Sequence, residues 1–384
     1  MTDKSSTARP PIERIPEEIE VLASELESLF SQGLELRWGD EEFEELALRA
    51  FEAQFQHNPV YRRFCERRGT VPATVLSWRN VPMVPTTAFR HLDLVTGDHS
   101  AVEAVFRTSG TTSSTTAPGR HLASRLSLYR ASLLSTFRAH LLPDVEKIKF
   151  VSLIPSPTAL PHSSLSYMVS TAAETMSSET YWLVDGNGVL DSARLRKVLG
   201  ELALQGEEIL LLGTVFAFVH WLDELGGEEL RDLAPGSRIM ETGGFKGRTR
   251  DITKEELYNS LSATVGLAPN RIVNEYGMTE LFSQLYESNL TQLHETRVGH
   301  TPPPWLRARA LNPTTLEPVG EHEKGLLAFF DLANLGSVCH VLTEDVGRVI
   351  GGRVYLEGRF AGAEPRGCSR TMDELMASRR IAGR

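Results

Sequence analysis

The sequence is short of several things, and each shortage removes a class of function. Three cysteines in 384 residues (Cys65, Cys339, Cys368) form no disulfide framework and show no metal-ligand spacing. Basic charge is in deficit: 40 Lys and Arg stand against 50 Asp and Glu, a net charge of −10. That balance argues against a nucleic-acid partner, because a phosphate backbone needs a basic face. Long apolar runs are missing. The longest, residues 209–222, falls short of the roughly 20 residues a bilayer span needs and contains Thr214 and His220. The first twenty residues have no apolar centre, so no secretory leader is expected, and a reducing cytoplasm is the expected location. Hydrophobic content is nevertheless 41%, enough over this length for a sizeable core and more than one structural unit.

Against those absences one stretch stands out, VFRTSGTTSSTTAPGRH from Val105 to His121. An apolar approach leads into small hydroxyl residues and glycines, and a helical pattern starts near residue 124. Glycines let the backbone fold around an occupant, and free N–H groups, hydroxyls and a following helix N-terminus favour an anionic phosphate. The Gly-Lys-Ser/Thr ending of a Walker-type loop is missing, which sets aside a conventional kinase or GTPase. A flexible Ser/Thr-rich linker is the alternative on composition alone. A second stretch, RIVNEYGMTE from Arg271 to Glu280, runs from a short β-branched strand into Asn274, Tyr276, Gly277 and Thr279-Glu280.

The spacing of apolar residues predicts amphipathic helices over 16–36 and 40–57, the latter with Phe43, Leu46, Ala50, Phe51 and Phe55 on one side and Asp40 as cap. Asn58-Pro59 ends that helix. From residue 101 helices (124–141, 163–176, 191–204, 215–225, 253–265) alternate with strands (147–154, 180–184, 209–213, 238–240, 271–274). This alternation implies βαβ units and a parallel sheet with ligands at the carboxyl ends of its strands. After Pro302-Pro303-Pro304 short strands with turns between them indicate a small β subdomain. The fold class is therefore α/β, divided into a loose tail (1–16), an α/β core (17–300) and a β subdomain with a terminal segment (301–384).

Arg107 to Thr112 resembles the phosphate loop of the adenylate-forming superfamily, and Asn274 to Glu280 resembles its NxYGxTE motif. The resemblance implies triphosphate contacts from Thr108, Ser109, Gly110, Thr111 and Thr112, with Arg120 standing where a lysine is usual. It also implies Glu280 as the ligand of Mg²⁺, Thr279 on the α-phosphate of ATP, and Tyr276 on adenine. Glu241 to Arg248 resembles the adenine-side glycine segment through Gly243 and Gly244, with Lys246 as a substrate-side cation. Thr343 to Arg348 resembles TGDxGR, with Asp345 on the ribose and Glu344 in place of the usual glycine. Gly358-Arg359 corresponds to the hinge pair, and His162 to a substrate-side gate.

Full-length members of that superfamily continue into a lid carrying a catalytic lysine, which this sequence is expected to lack. A cysteine near the C-terminus, together with HNPVYRRFC (57–65) and PTTAF (85–89), resembles instead the acyl-protein synthetases of the LuxE type. In that family the cysteine attacks the acyl-adenylate and forms a thioester. Arg366 and Arg370 flank Cys368 and are expected to favour its thiolate, and a mobile terminal segment would carry the thiol to the site. Cys65 and Cys339 have apolar neighbours and read as buried thiols. The implied reaction is ATP-dependent activation of a carboxylic acid, a fatty acid foremost, followed by transfer to Cys368 and on to a reductase or carrier protein. Two alternatives stay open: a ligase with free coenzyme A as acceptor, and a nucleotide-binding module without catalysis.

Overall fold

The computed structural model describes residues 17–35, 38–108, 118–244, 252–287, 290, 299–360 and 366–379. The expected tail (1–16) lies outside them. Three helices open the chain: α1 (Glu17–Ser31), α2 (Asp40–His57) and α3 (Pro59–Arg67). In α2 the residues Phe43, Leu46, Ala50 and Phe51 are buried as their spacing predicts. The capping position is Gly39 rather than Asp40: the Gly39 N–H donates to Glu42 Oε2 (2.7 Å), and Asp40 sits in the first turn, where its charge favours the helix dipole. Asn58-Pro59 ends α2 and at once starts α3, because Pro59 suits a first turn and Asn58 accepts from the Tyr61 N–H at 3.1 Å.

The chain continues through β1 (Val84–Pro85), β2 (Ala104–Arg107), β3 (Arg120–Ala123), α4 (Leu126–Leu141), β4 (Ile148–Leu153), α5 (Ser164–Met176) and β5 (Ser177–Trp182). Then come α6 (Ser192–Gln205), β6 (Ile209–Thr214), α7 (Val215–Leu225), β7 (Arg238–Thr242), α8 (Lys254–Val265), β8 (Ile272–Tyr276), β9 (Leu285–Glu287) and β10 (His300–Thr301). The last elements are β11 (Leu306–Leu311), β12 (Gly325–Asp331), β13 (His340–Ile350), β14 (Arg353–Arg359) and α9 (Arg366–Arg379).

Strands β5, β4, β6, β7 and β8 lie side by side in parallel, each linked to the next in sequence by a helix. Residues of these strands alternate between two cores. Phe150, Leu210, Leu212, Met240 and Val273 face α1, α2, α4 and α5, whereas Val151, Leu211, Ile239 and Ile272 face α6, α7 and α8. Burial on both faces explains why the central strand β6 opens with the apolar run ILLL, whereas the edge strand β5, SSETYW, is partly exposed and largely polar. Beyond β8 the same sheet turns antiparallel through β9, β10, β14, β13, β12 and β11, with β1 pairing parallel to β13. The short strands after residue 300 thus extend the main sheet. Strands β2 and β3 form a separate hairpin.

Candidate active site

The loop between β2 and β3 is pinned at its base. Thr108 N–H donates to the Gly119 carbonyl (2.9 Å), and Gly119 N–H donates to Thr108 Oγ1 (2.8 Å). A Cβ on Gly119 would lie 3.1 Å from the Thr108 side chain, a tight contact that Thr108 would have to yield to. Ser109, Gly110, Thr111 and Thr112 lie outside the described residues, as does Lys246. His162 is tied to the same hairpin: its Nδ1 lies 3.0 Å from the Val105 carbonyl, and its own carbonyl accepts from the Arg107 N–H at 2.8 Å. Arg120 is exposed and paired with Asp93 at 2.7 Å.

At the carboxyl ends of β7 and β8 the sheet register sets Thr242 beside Glu275, and Thr242 Oγ1 donates to that carboxylate. Gly243 then turns with φ +102°, a conformation that favours glycine, and both Gly243 and Gly244 face open space. Tyr276, at the end of β8, donates its hydroxyl to Asp345 Oδ2 (2.8 Å), with its ring tilted on Phe329 and edge-on to His300. Asp345 also receives Arg359 Nε at 3.1 Å across the β13–β14 pair. Glu344 causes no break in β13; its carbonyl accepts from the Phe360 N–H at 2.9 Å.

The Thr279-Glu280 turn after β8 is held from three directions. His121 on β3 lies with Nδ1 2.7 Å from the Thr279 carbonyl. A carbonyl only accepts, so Nδ1 carries the proton. Burial pushes the His121 pKa down to about 4, although the Thr279 bond works the other way, and the ring stays neutral. It stacks on Phe282 (4.3 Å between centroids, 12°) and meets Phe89 edge-on. From β12 and the turn after it, Asn334 Nδ2 donates to the Glu280 carbonyl (2.8 Å), while Asp331 Oδ2 accepts the N–H groups of Phe282 (3.0 Å) and Ser283 (2.9 Å). Ser164, in the first turn of α5, lies 3.4 Å from the Thr279 hydroxyl, bringing a helix N-terminus beside the turn.

Glu280 is buried, and its pKa rises to about 7. Desolvation is the main cause, opposed by its own main-chain N–H and the positive fields of Arg359 and Arg90, and reinforced by Asp345. The turn therefore offers a hard carboxylate among cations. No group of three or more His, Cys, Asp or Glu side chains suited to a metal occurs among the described residues. A metal at Glu280 would consequently share its coordination with ligand oxygens, and this donor set fits a Mg²⁺-phosphate unit.

Cys368 lies behind β13. It is 1% exposed, packed with Leu311, Leu326, Ala328, Leu342 and Val346, and its thiol is 3.9 Å from the Thr343 carbonyl, two residues from Asp345. The thiol is thus sheltered under α9 instead of lying open between two arginines. Cys368, Thr371 and Leu375 form the buried stripe of that helix. Cys65 and Cys339 are buried as expected, and desolvation raises both thiols, Cys65 to about 12. Sequence reading did not single out His121, Asp331, Asn334 or Arg90; the first three are isolated polar residues whose partners are distant in sequence, and Arg90 influences Glu280 only through its charge.

The family described as acyl-protein synthetase, LuxE, matches residues 15–377. The chain belongs to this family. As an acyl-protein synthetase it is a ligase, and acid activation followed by acyl transfer is favoured over the free-coenzyme and binding-module alternatives. It is similar to the long-chain-fatty-acid–luciferin-component ligase of Vibrio harveyi, 25% identical over 378 residues covering 94% of this chain and 96% of the relative. The ligase of the same description from Aliivibrio fischeri is 26% identical over 340 residues, covering 86% of each. Among solved structures, the synthetase resembles 2-hydroxyisobutyryl-CoA ligase with 2-HIB-AMP and CoA (TM-score 0.61, 18% identity, 85% of this chain and 68% of that one). The same ligase in its postadenylation state gives a TM-score of 0.60 at 16% identity, with 83% and 68% covered. These likenesses establish the adenylate-forming fold expected from the motifs. Among the described residues no helix is long and apolar enough to cross a membrane.

Proposed function

We propose that this synthetase activates a fatty acid with ATP and Mg²⁺, holds the acyl group on Cys368 and delivers it to a partner protein, a reductase or carrier, in the cytoplasm. The observation that carries the reading is the meeting of Glu280, Tyr276, Asp345 and Arg359 at the strand ends, with the Cys368 thiol at the Thr343 carbonyl of the strand that carries Asp345. The substrate carboxylate attacks the α-phosphorus, an acyl–phosphate bond forms, and pyrophosphate leaves. The Cys368 sulfur then attacks the acyl carbon, losing its proton as the bond to AMP breaks, and the resulting thioester passes its acyl group to the acceptor.

Glu280 would hold Mg²⁺, which supplies neutralisation of phosphate charge. Thr279 would donate its hydroxyl to the α-phosphate, with Thr108 and the Ser109-Gly110-Thr111-Thr112 segment around the remaining phosphates. Asp345, oriented by Tyr276 and Arg359, would accept the ribose hydroxyls, and adenine would lie against Gly243 and Gly244, where a Cβ would meet nothing within 4 Å among the described residues. In this arrangement Tyr276 serves the ribose acceptor through its hydroxyl. His162 and Lys246 remain assigned to the acid's side of the site. Both relatives are described as long-chain fatty-acid ligases, which supports a fatty acid as substrate.

The test incubates the protein with Mg²⁺-ATP and radiolabelled palmitate and resolves it on a denaturing gel. Hydroxylamine-labile label on the wild type, lost in Cys368→Ala and in Glu280→Ala, is the expected result. Label of equal intensity on Cys368→Ala would remove the thioester from the reading. Acyl-CoA formed by that variant at the wild-type rate would move the acceptor to coenzyme A.

A further inference from the structure

The geometry points to Arg90, rather than Arg120, as the side chain that grips the phosphate anion in this site. The assignment rests on the acid-activation reading and adds a residue to it. Arg90 ends a single 3₁₀ turn, Thr86–Arg90, that packs against three functional elements: β3, which leads out of the Ser/Thr loop; β13, which carries Asp345; and α9, which carries Cys368. The turn is firmly seated. Ala88 and Phe89 are buried, and Phe89 meets the His121 ring at 5.3 Å between centroids.

The Arg90 stem lies along the closure of the loop. A Cβ placed on Gly119 would come within 3.4 Å of Arg90 Cγ, as well as touching Thr108. The arginine stem thus runs within contact distance of the backbone that closes the loop. Its charge reaches the Glu280 carboxyl, so the two groups border the same space. Arg90 is half-buried, and its guanidinium has neither a hydrogen bond nor an ion pair among the described residues. The neighbouring arginines differ. Arg359 is committed to Asp345, and Arg120 to Asp93 on an exposed surface.

A partly desolvated guanidinium without a counter-ion is an unfavourable arrangement that an incoming anion relieves. Its planar fork matches phosphate oxygens in two parallel hydrogen bonds, and the seated turn means little ordering is left to do on binding. Arg90 would then face the triphosphate opposite Glu280, so that a cation from one side and a metal from the other spread the charge that develops as pyrophosphate departs.

Calorimetric titration with Mg²⁺-ATP and, separately, with adenosine, paired with ATP–pyrophosphate exchange, tests the assignment on wild type, Arg90→Ala, Arg90→Lys and Arg120→Ala. One lost charge-assisted contact corresponds to about tenfold to a hundredfold in ATP affinity. Arg90→Ala is expected to show that loss with adenosine affinity unchanged and the KM for ATP raised. Arg90→Lys should recover part of it, and Arg120→Ala should match wild type. Unchanged ATP affinity in Arg90→Ala, an equal fall for adenosine, or a larger effect from Arg120→Ala each overturns the role. Wild-type protein that neither binds ATP nor exchanges pyrophosphate overturns the activation reading, and the assignment of Arg90 falls with it. An active wild type with an unaffected Arg90→Ala overturns the assignment alone.

Discussion

His121 and Glu241 show how single buried groups set the geometry and the pH response. His121 is positioned to hold the Thr279 carbonyl with a neutral imidazole, so its role is directional and not electrostatic. His121→Phe keeps the stack on Phe282 but removes the donor, whereas His121→Asn keeps a donor close to the Nδ1 position. Pyrophosphate exchange is expected to fall about tenfold in the phenylalanine variant, the worth of one hydrogen bond near 1.4 kcal/mol, and to recover in the asparagine variant. Equal losses in both would mean that the ring only fills space. Glu241 sits between Tyr258 and Asn274, which donate to its Oε1, while its Oε2 has no partner among the described residues. Burial raises its pKa to about 7, chiefly by desolvation, with Lys254, Tyr258 and Asn274 opposing. The folded value lies above the ordinary 4.5, so the folded chain holds this proton more tightly than the unfolded chain. The group's stabilising contribution is full below about pH 4.5 and is lost as pH rises through about 7. Glu241→Gln mimics the neutral form, and urea titrations should find it more stable than wild type at pH 8 by a few kcal/mol at most, with the advantage gone at pH 4.5. An advantage that grows on acidification would have the wrong sign and refute the argument.

At the level of elements, α9 governs the chemistry of Cys368. The helix lays Cys368, Thr371 and Leu375 on the sheet and is tied to α3 by an Arg68–Glu374 ion pair of 2.9 Å. That pair is partly exposed and worth little, so packing is what keeps the helix down. Leu375 is fully buried, and Leu375→Ala is expected to weaken docking by about 2–4 kcal/mol. Iodoacetamide labelling of Cys368, followed by peptide mass spectrometry, should be slow in wild type and at least tenfold faster in Leu375→Ala. Equal rates would show that the thiol is reached without undocking α9. The stripe at 368, 371, 372 and 375 has helical spacing and was a readable signal. The flanking arginines suggest an open, activated thiol, but burial is the property that decides the thiol's access. The main βαβ alternation was legible because short apolar stretches, such as ILLL of β6, recur between segments of helical spacing. Strands β9 and β10 were not, since three and two residues carry no periodicity and owe their place to pairing with β8 and β14. Arg90 and Arg120 look alike in sequence. What separates them is Asp93, 27 residues from Arg120, and only the fold brings that carboxylate to it.

The whole molecule depends on the junction between the parallel and antiparallel halves of one sheet. The Thr279-Glu280 turn springs from the parallel half, yet Asn334 and Asp331 hold it from the antiparallel half, and Asp345 comes from that half as well. The two halves must therefore stay in register for the site to exist. The N-terminal helices secure the antiparallel part: Phe43 and Trp78 meet Phe330 of β12 edge-on at 5.9 and 5.8 Å, and His340 of β13 packs on the same ring at 5.2 Å. Gln54 of α2 adds hydrogen bonds to the Asn334 carbonyl (3.2 Å) and from the Cys339 N–H (3.1 Å). Phe330→Ala opens a cavity at this meeting point and is expected to lower stability by about 3–5 kcal/mol in urea denaturation. If the halves unfold together, the midpoint shifts while the slope against urea stays at its wild-type value, and pyrophosphate exchange is lost in the same transition. A split into two transitions, with exchange lost in the first, would show that the antiparallel half detaches alone and takes Asp345 and the support of Glu280 with it. The shared sheet predicts the single transition, because separating the halves exposes β8 and β9 along their paired edge and strips the Glu280 turn of its buried acceptors at the same time.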